Sequence, residues 1–432
     1  MIQSRTAAVM SSLSLRVLLA LVAGLAAGAA AQAYGIPGGT GTIRVIEALG
    51  QLWLNALRMT IIPLVFALLV TGIASIADAA ATGRLALKAI AVFAVLLVGA
   101  TIYGVAASLG LHMLWPIDPA GAQALLAGSP SDAGAAVVEG ARSGGFGAFL
   151  SSLAPSNPVR AAADDAILAI VVFALVFGFA ATKLPDRLRL PLATFFEAVA
   201  EAMIVIVQWV LWAAPLGVFA LSLGVGLRAG LGAAGVLLHY VSIVSLSIIG
   251  LIVLIYVVAL VFGRIGLARF ARAVAPAQVV AFSTQSSLAS LPVMVERARD
   301  RLGVSAATAG LVLPLAVAVF RITSPVANLA VAIYCAKLFG VDLSLTAMIA
   351  GGLAAMAISV GTVGLPGQIS FFASVAPICL AMGVPLGVLP LLLAVEVVPD
   401  IFRTVGNVTA DLTAARIVEG RDATADPGAA AV

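Results

Sequence analysis

Residues 396–411 read EVVPDIFRTVGNVTAD, inside a run that is otherwise apolar from Leu386 to Ala415. On a helix, Asp400, Arg403, Asn407 and Asp411 are separated by three and four residues, which puts them on one face. A charge at the bilayer centre costs at least about 2.5–3.5 kcal/mol on insertion scales. With Glu396, this helix carries four ionisable groups, which would not be set against lipid and must face protein or a water-filled cavity. A stripe of salt bridges locking helices together is one reading. The other is recognition: a guanidinium such as Arg403 can hold a carboxylate with two parallel hydrogen bonds, and Asp400 one turn away can hold an ammonium. Together they suit a zwitterion with an extra carboxylate. Asn407 and Asp411 add the oxygen ligands that a dehydrated small cation needs.

The composition sets the same environment. Of 432 residues, 62% are hydrophobic and 10% charged, about half the charged fraction of soluble domains. The chain reads as an integral membrane protein long enough for roughly eight spanning helices. With 42 Gly and 20 Pro, several of them should be broken. The net charge of +4 is spread between apolar runs rather than along a stripe, so no nucleic-acid partner is expected. Cys335 and Cys379 lie in apolar stretches without metal-ligand spacing, and with only His112 and His239 there is no hydrolase or nucleotide-binding motif; no cofactor and no enzymatic activity are expected.

The first span, Ser14 to Tyr34, follows Arg5 and Arg16; a secretory signal cleaved near Ala29–Ala31 is the alternative, but the apolar stretch is long for one. Further spans run from Trp53 to Ile76 with Pro63, Leu87 to Leu114, Ile167 to Ala181, Phe195 to Leu223 and Leu237 to Val261. Asp118 to Val159, with Asp132, Glu139 and the turn Ser156-Asn157-Pro158, reads as an external loop containing short helical pieces. Arg5, Arg16, Arg84, Lys88, Lys183, Arg187, Arg189, Arg264, Arg269, Arg272, Arg416 and Arg421 fall on one side if both termini are cytoplasmic.

Beyond Arg272 the apolar pattern is interrupted by the polar tip Ser283-Thr284-Gln285-Ser286-Ser287 and resumes at Leu291 before the charged run Glu296 to Arg301. A full span would strand that tip in lipid, whereas a hairpin returning to the same side keeps its backbone against protein or water. A second interrupted stretch, Leu345 to Met382, breaks at residues 359–367. Each is followed by a long segment with polar residues at its middle, Val304 to Leu338 and Leu386 to Ala415. Two matching pairs of hairpin and interrupted helix are the pattern of an inverted-repeat transporter.

These motifs resemble the dicarboxylate/amino acid:cation symporters, the glutamate transporter family: residues 400–411 resemble its final helix, Ser283 to Pro292 its first hairpin, Gly361 to Gly367 its second, and Arg58 to Gly72 with Ala214 to Leu221 its scaffold helices. The resemblance covers nearly the whole chain. It implies an all-α membrane protein of about eight transmembrane helices and two re-entrant helical hairpins, a homotrimer in membrane lipid whose transport domain slides like an elevator. The division that follows is 1–82 scaffold helices 1–2, 83–116 transport helix 3, 117–235 external loop and scaffold helices 4–5, 236–271 transport helix 6, 272–303 hairpin 1, 304–340 helix 7, 341–384 hairpin 2, 385–418 helix 8 and 419–432 a cytoplasmic tail. The loop-poor design and the resemblance imply the bacterial inner membrane.

Carried over by position, Arg403 binds the substrate's side-chain carboxylate and Asp400 its amino group. Gln285, Ser286, Ser287, Ser324, Leu365, Pro366, Thr404 and Asn407 complete the pocket. Members that carry C4-dicarboxylates typically lack the acid at the position of Asp400, and members for neutral amino acids lose the arginine. Retention of both favours acidic amino acids.

The chain departs from the family at its cation sites. Where the family has Asn-Met-Asp-Gly-Thr in an unwound seventh helix, residues 320–324 read Phe-Arg-Ile-Thr-Ser, and the third-helix ligand positions are Phe93, Leu96 and Leu97. An apolar set cannot replace a hydration shell, so one sodium site is expected to be absent. Ser359 and Thr362 near the second hairpin, and Asn407 with Asp411, remain as possible sodium ligands. Arg321 either supplies a fixed charge in place of a bound cation or contacts a substrate carboxylate. Glu396, Asp400 and Asp411 against Arg321 and Arg403 leave one negative charge uncompensated. Glu396 is the candidate proton carrier. The expected coupling is to H+, or to fewer Na+ than usual. Competing readings are a C4-dicarboxylate carrier, a non-coupled anion-conducting or ligand-sensing member, and an intramembrane enzyme using Asp400 and Asp411, which lie about 16 Å apart along the helix, too far to share a proton.

Overall fold

The computed structural model describes residues 2–34, 41–81, 83–127, 151, 153–229, 232–361 and 367–420, and all regular structure among them is helical. In chain order, α1 (Ile2–Ala33), α2 (Gly41–Arg58), α3 (Ile61–Ala81) and the long α4 (Arg84–Leu114) precede the short α5 (Pro119–Ala127) and α6 (Pro158–Ala163). Next come α7 (Ile167–Ala181), α8 (Asp186–Trp212), α9 (Ala214–Ala229) and α10 (Gly232–Val261). α11 (Leu267–Thr284) with α12 (Ser287–Leu302), and α15 (Leu345–Gly361) with α16 (Gly367–Ala381), are two helical hairpins. Each precedes a broken helix, α13 (Ala306–Val319) with α14 (Thr323–Leu338) and α17 (Leu389–Val395) with α18 (Val397–Glu419).

Among the described residues, six stretches are long and apolar enough to cross a membrane: Leu15–Ala33, Gly41–Ala81, Arg84–Leu114, Asp186–Trp212, Ala233–Val261 and Ala306–Leu338. α18 is too rich in charge to be one of them, with Asp400, Arg403, Asp411, Arg416 and Glu419 along its length. It sits instead against α4, α10, α11, α12, α13 and α14, with nearly all of its second half buried. The span expected over Phe195–Leu223 is broken at Ala213, because Pro215 has no N–H with which to continue the ladder. Pro63 likewise follows the break between α2 and α3, where the Thr60 hydroxyl bonds the Leu57 carbonyl at 2.8 Å.

The two halves of the core follow from this order. One apolar cluster joins α1, α2, α3, α7, α8, α9 and the first half of α10 to α14, α15, α16 and α17; the other joins α4, the second half of α10, α11, α12, α13 and α18. α1 and α9 cross closely: a Cβ on Gly24 would lie 2.0 Å from Ser222 Oγ, and one on Gly28 2.4 Å from the Leu223 carbonyl oxygen. Small residues four apart are how helices approach in a lipid environment, where dispersion contacts rather than water expulsion hold them. α14 is buried at every residue except Lys337.

The tip of the first hairpin falls at Gln285, which is left-handed (φ 50) and donates its N–H to the Ala281 carbonyl, and at Ser286, whose hydroxyl accepts from the Ala289 N–H at 3.2 Å. Basic residues gather at one end of the bundle: Lys88 donates to the Val418 carbonyl, Arg416 to that of Gly263 at 3.1 Å and Arg269 to that of Arg301 at 3.2 Å. Asp132, Glu139, Thr362, Leu365 and Pro366 lie outside the described residues.

Candidate substrate and coupling site

The two helix breaks meet at the centre of the molecule. α17 stops at Glu396 because Pro399 cannot donate to the Val395 carbonyl. α13 stops at Phe320, whose backbone is extended (φ −116, ψ 91), and α14 restarts at Thr323. The start of α14 is fastened to α18 by side chains. Asn407 Oδ1 accepts from the Thr323 N–H at 3.1 Å and from its hydroxyl at 2.9 Å, and that hydroxyl also lies 3.1 Å from the Arg403 carbonyl. A Cβ on Gly406 would stand 2.5 Å from Thr323 Cγ2, so this approach requires glycine.

Arg403 is buried and occupied. Its Nη2 lies 2.6 Å from Glu396 Oε1, and its Nη1 donates to Asn328 Oδ1 at 2.8 Å. Glu396 Oε2 accepts from the Tyr240 hydroxyl at 2.7 Å, and Asn328 Nδ2 donates to Ser324 Oγ at 3.1 Å. The four groups form one buried chain, Tyr240–Glu396–Arg403–Asn328. Such a pair is stable because both charges are compensated, and removing either partner leaves the other uncompensated.

Asp400 is half-buried, in the field of Arg403 and Arg321, and the Thr404 hydroxyl bonds its main-chain carbonyl at 3.0 Å. Asp411 is buried, and neither carboxylate oxygen receives a hydrogen bond from a described protein group; Arg321 is the opposite charge acting on it. Arg321 lies in the break itself, within electrostatic reach of Asp400, Arg403 and Asp411. Its carbonyl accepts from the Ser359 hydroxyl and from the Ser324 N–H, both at 3.0 Å. Beside it Phe93 and Phe320 stack face to face, ring centroids 4.6 Å apart and planes 10° from parallel.

The structure thus brings together Arg321, Ser324, Ser359, Glu396, Asp400, Arg403, Thr404, Asn407 and Asp411. Gln285 is exposed at its tip and Ser286 and Ser287 are half-buried; among the described residues no hydrogen bond joins these three to the α18 cluster. Leu365, Pro366 and Thr362 lie outside the described residues. Sequence reasoning missed Tyr240, Asn328 and Thr323. Asn328 had a signal, a buried amide four residues after Ser324 in an apolar helix; Tyr240 had none, because its partner is 156 residues away.

Paired hairpins and broken helices around a buried, charged centre define a secondary transporter. The chain matches the model of the Sodium:dicarboxylate symporter family over residues 13–421, and it belongs to that family of cation-coupled membrane carriers. It is 28% identical to the Proton/glutamate-aspartate symporter of Escherichia coli (strain K12), over 94% of this chain and 92% of that protein. It is 31% identical to the Neutral amino acid transporter B(0) of Oryctolagus cuniculus (94% and 80% covered) and 28% to the C4-dicarboxylate transport protein of Azorhizobium caulinodans (86% and 82%). Relatives named for three kinds of substrate stand at similar identity, so the substrate has to be argued from residues.

Proposed function

We propose that this protein imports an acidic amino acid, aspartate or glutamate, together with protons, and that a reduced sodium requirement replaces the family's full set of ions. The observation that carries the reading is the 2.6 Å pair between Arg403 and Glu396. A substrate carboxylate that takes two parallel hydrogen bonds from the guanidinium needs Nη2, alongside either Nη1 or the unpartnered Nε, and so has to displace Glu396 from it. Because Glu396 Oε2 already accepts from Tyr240, the oxygen that faces Arg403 is Oε1. A proton on Oε1 cancels the ion pair and frees Nη2 for substrate. Substrate and proton therefore bind together.

The charge count agrees. Glu396, Asp400 and Asp411 against Arg321 and Arg403 leave one negative charge. Adding an acidic amino acid of net charge −1 with one proton leaves that balance unchanged, whereas a dicarboxylate without an amino group needs one more cation. Asp400 supplies the anion that an ammonium requires. The stacked Phe93 and Phe320 support the loss of one sodium site, since two aromatic faces cannot coordinate a cation that needs oxygen ligands. Arg321, in the field of both Asp400 and Asp411, acts as the fixed replacement charge; Asn407 Oδ1 is taken up by both donors of Thr323, so Asp411, with Ser359 and Thr362, is the remaining place for a coupling ion. A C4-dicarboxylate carrier is the second reading, favoured by the relative of that name and opposed by Asp400.

In the family's arrangement the protein is a homotrimer of the bacterial inner membrane with both termini cytoplasmic, and the hairpins with α4, α10, α13, α14 and α18 form the moving domain. The test is uptake of labelled aspartate into proteoliposomes with a sodium gradient, a proton gradient, both or neither. Proton-driven uptake without sodium is expected. Strict sodium dependence overturns proton coupling through Glu396.

A further inference from the structure

At the end of the bundle opposite the basic cluster, two histidines that the substrate site does not use are buried side by side. His112, on the last turn of α4, donates or accepts at Nδ1 with the Ser108 carbonyl at 2.7 Å; a carbonyl only accepts, so Nδ1 carries the proton. Its Nε2 is buried without a hydrogen-bond partner among the described residues. His239 on α10 is 6.4 Å away, ring centroid to centroid. Its Nε2 lies 3.2 Å from the Trp115 carbonyl and its Nδ1 3.1 Å from the Tyr334 hydroxyl. The Tyr334 hydroxyl also lies 2.9 Å from the Val236 carbonyl, so its one hydrogen can go to Val236, leaving its oxygen as an acceptor for Nδ1, or to Nδ1 itself. With that hydrogen on Val236, both nitrogens of His239 face oxygen acceptors and a doubly protonated imidazole is satisfied; with it turned to Nδ1, a neutral imidazole protonated at Nε2 is satisfied as well, so the site accommodates both states. Two like charges this close in a buried site cannot both form.

We propose that the His112–His239 pair is a proton-binding site that holds one proton, on His239, and loads the proton that Glu396 carries. Its use in the cycle rests on the proton-coupled reading; the site itself rests on ring geometry. Trp115, half-exposed at 48%, covers it on the outer side. On the inner side His239 is followed by Tyr240, whose ring lies edge-on to Tyr334 at 5.2 Å and whose hydroxyl donates to Glu396. The other titratable groups facing the pair are Cys335 and Lys337 on α14, whose Lys337 charge acts on His112. α5 and α15 bring no titratable side chain, and Arg228 of α9 is engaged by Glu47 at 2.6 Å.

The chain has only two histidines, so nitrogen NMR of histidine-labelled full-length protein in nanodiscs, purified without a histidine tag, reads both imidazoles directly. His112 should remain neutral with its proton on Nδ1 throughout the acid range, while His239 gains a second proton. Tyr334→Phe removes the acceptor and should lower the His239 midpoint by about one pH unit. Two imidazoles titrating independently, neither titrating, or an unmoved midpoint in Y334F overturns the site. In proteoliposomes, His239→Gln should flatten the pH profile of uptake with aspartate affinity retained, and an unchanged profile overturns its place on the proton route. Glu396→Gln separates the two claims: if it keeps proton-driven uptake, the reading of Glu396 fails while the histidine titration stands.

Discussion

Replacing Glu396 by Gln should tighten substrate binding and uncouple it from protons. Glutamine keeps the shape of the side chain and an oxygen for the Tyr240 hydroxyl, but it removes the charge that holds Arg403 at 2.6 Å. In the proposed mechanism the substrate carboxylate displaces that carboxylate from Nη2. A hydrogen bond to a charged group is worth about 1.5–3 kcal/mol net, and about 1.4 kcal/mol is a decade in affinity, so the competition weakens binding roughly tenfold to a hundredfold when Glu396 is ionised. The sign follows by linkage. Binding takes up one proton at Glu396, so native affinity should rise as pH falls, with a limiting slope of about tenfold per pH unit. In E396Q affinity should be high and flat with pH. Aspartate titration calorimetry across the acid-to-neutral range reads both. In proteoliposomes E396Q should retain aspartate/aspartate exchange and lose proton-driven accumulation. Because Arg403 keeps Asn328 at 2.8 Å and Asp400 in reach, the variant should fold, which thermal unfolding with and without aspartate checks. A native-like pH dependence of affinity in folded E396Q would refute the exchange of carboxylates on Arg403.

Other variants separate the remaining roles. Asp400→Ser removes the anion for the substrate ammonium, so aspartate should weaken roughly tenfold to a hundredfold while succinate is unaffected, read by competition against labelled substrate. Arg321→Met withdraws the fixed charge from Asp411 and Asp400, and uptake should acquire a dependence on sodium; normal uptake with unchanged ion dependence counts against the counter-charge role. Gly406→Ala drives a methyl to 2.5 Å from Thr323 Cγ2 and should lower stability by about 1–3 kcal/mol while weakening the Thr323–Asn407 contact, read as a fall in Tm.

How much of this was legible in the sequence depended on whether the cause was local. The charged face of α18 announced itself because Asp400, Arg403, Asn407 and Asp411 repeat at helical spacing inside an apolar run, and charges in such a run have few permitted surroundings. The break in the seventh helix showed in Thr323, Ser324 and Pro325 within an apolar stretch. The division at Ala213 was hidden because Pro215 sits among residues as apolar as any span, and the fragments on both sides read as one. The partners of Arg403 were harder still. Glu396 lies seven residues from Arg403, so the pair was within reach of helical spacing, but Asn328 comes from 75 residues upstream and Tyr240 reaches Glu396 from 156. Side-chain pairs across a helical bundle carry no periodic signature, and only packing chooses them.

The same packing bears on the proposal that protons, rather than sodium, drive transport. A dehydrated cation needs several free oxygens at once. Near the break, the Arg321 carbonyl accepts from Ser359 and Ser324, and Asn407 Oδ1 accepts from both donors of Thr323, so the lone pairs of these oxygens are already committed. The two neighbouring positions are aromatic and stacked on each other. A guanidinium occupies the same region with a charge that cannot dissociate from the chain during a transport cycle. A fixed charge can neutralise acids, but it cannot carry energy from a gradient, because it enters and leaves with the protein. On the proton-coupled proposal, the energetic coupling resides in an acid whose occupancy changes. Glu396 meets that requirement through its competition with substrate for Arg403, and Asp411, whose two oxygens receive no hydrogen bond from a described protein group, is the second group with that capacity.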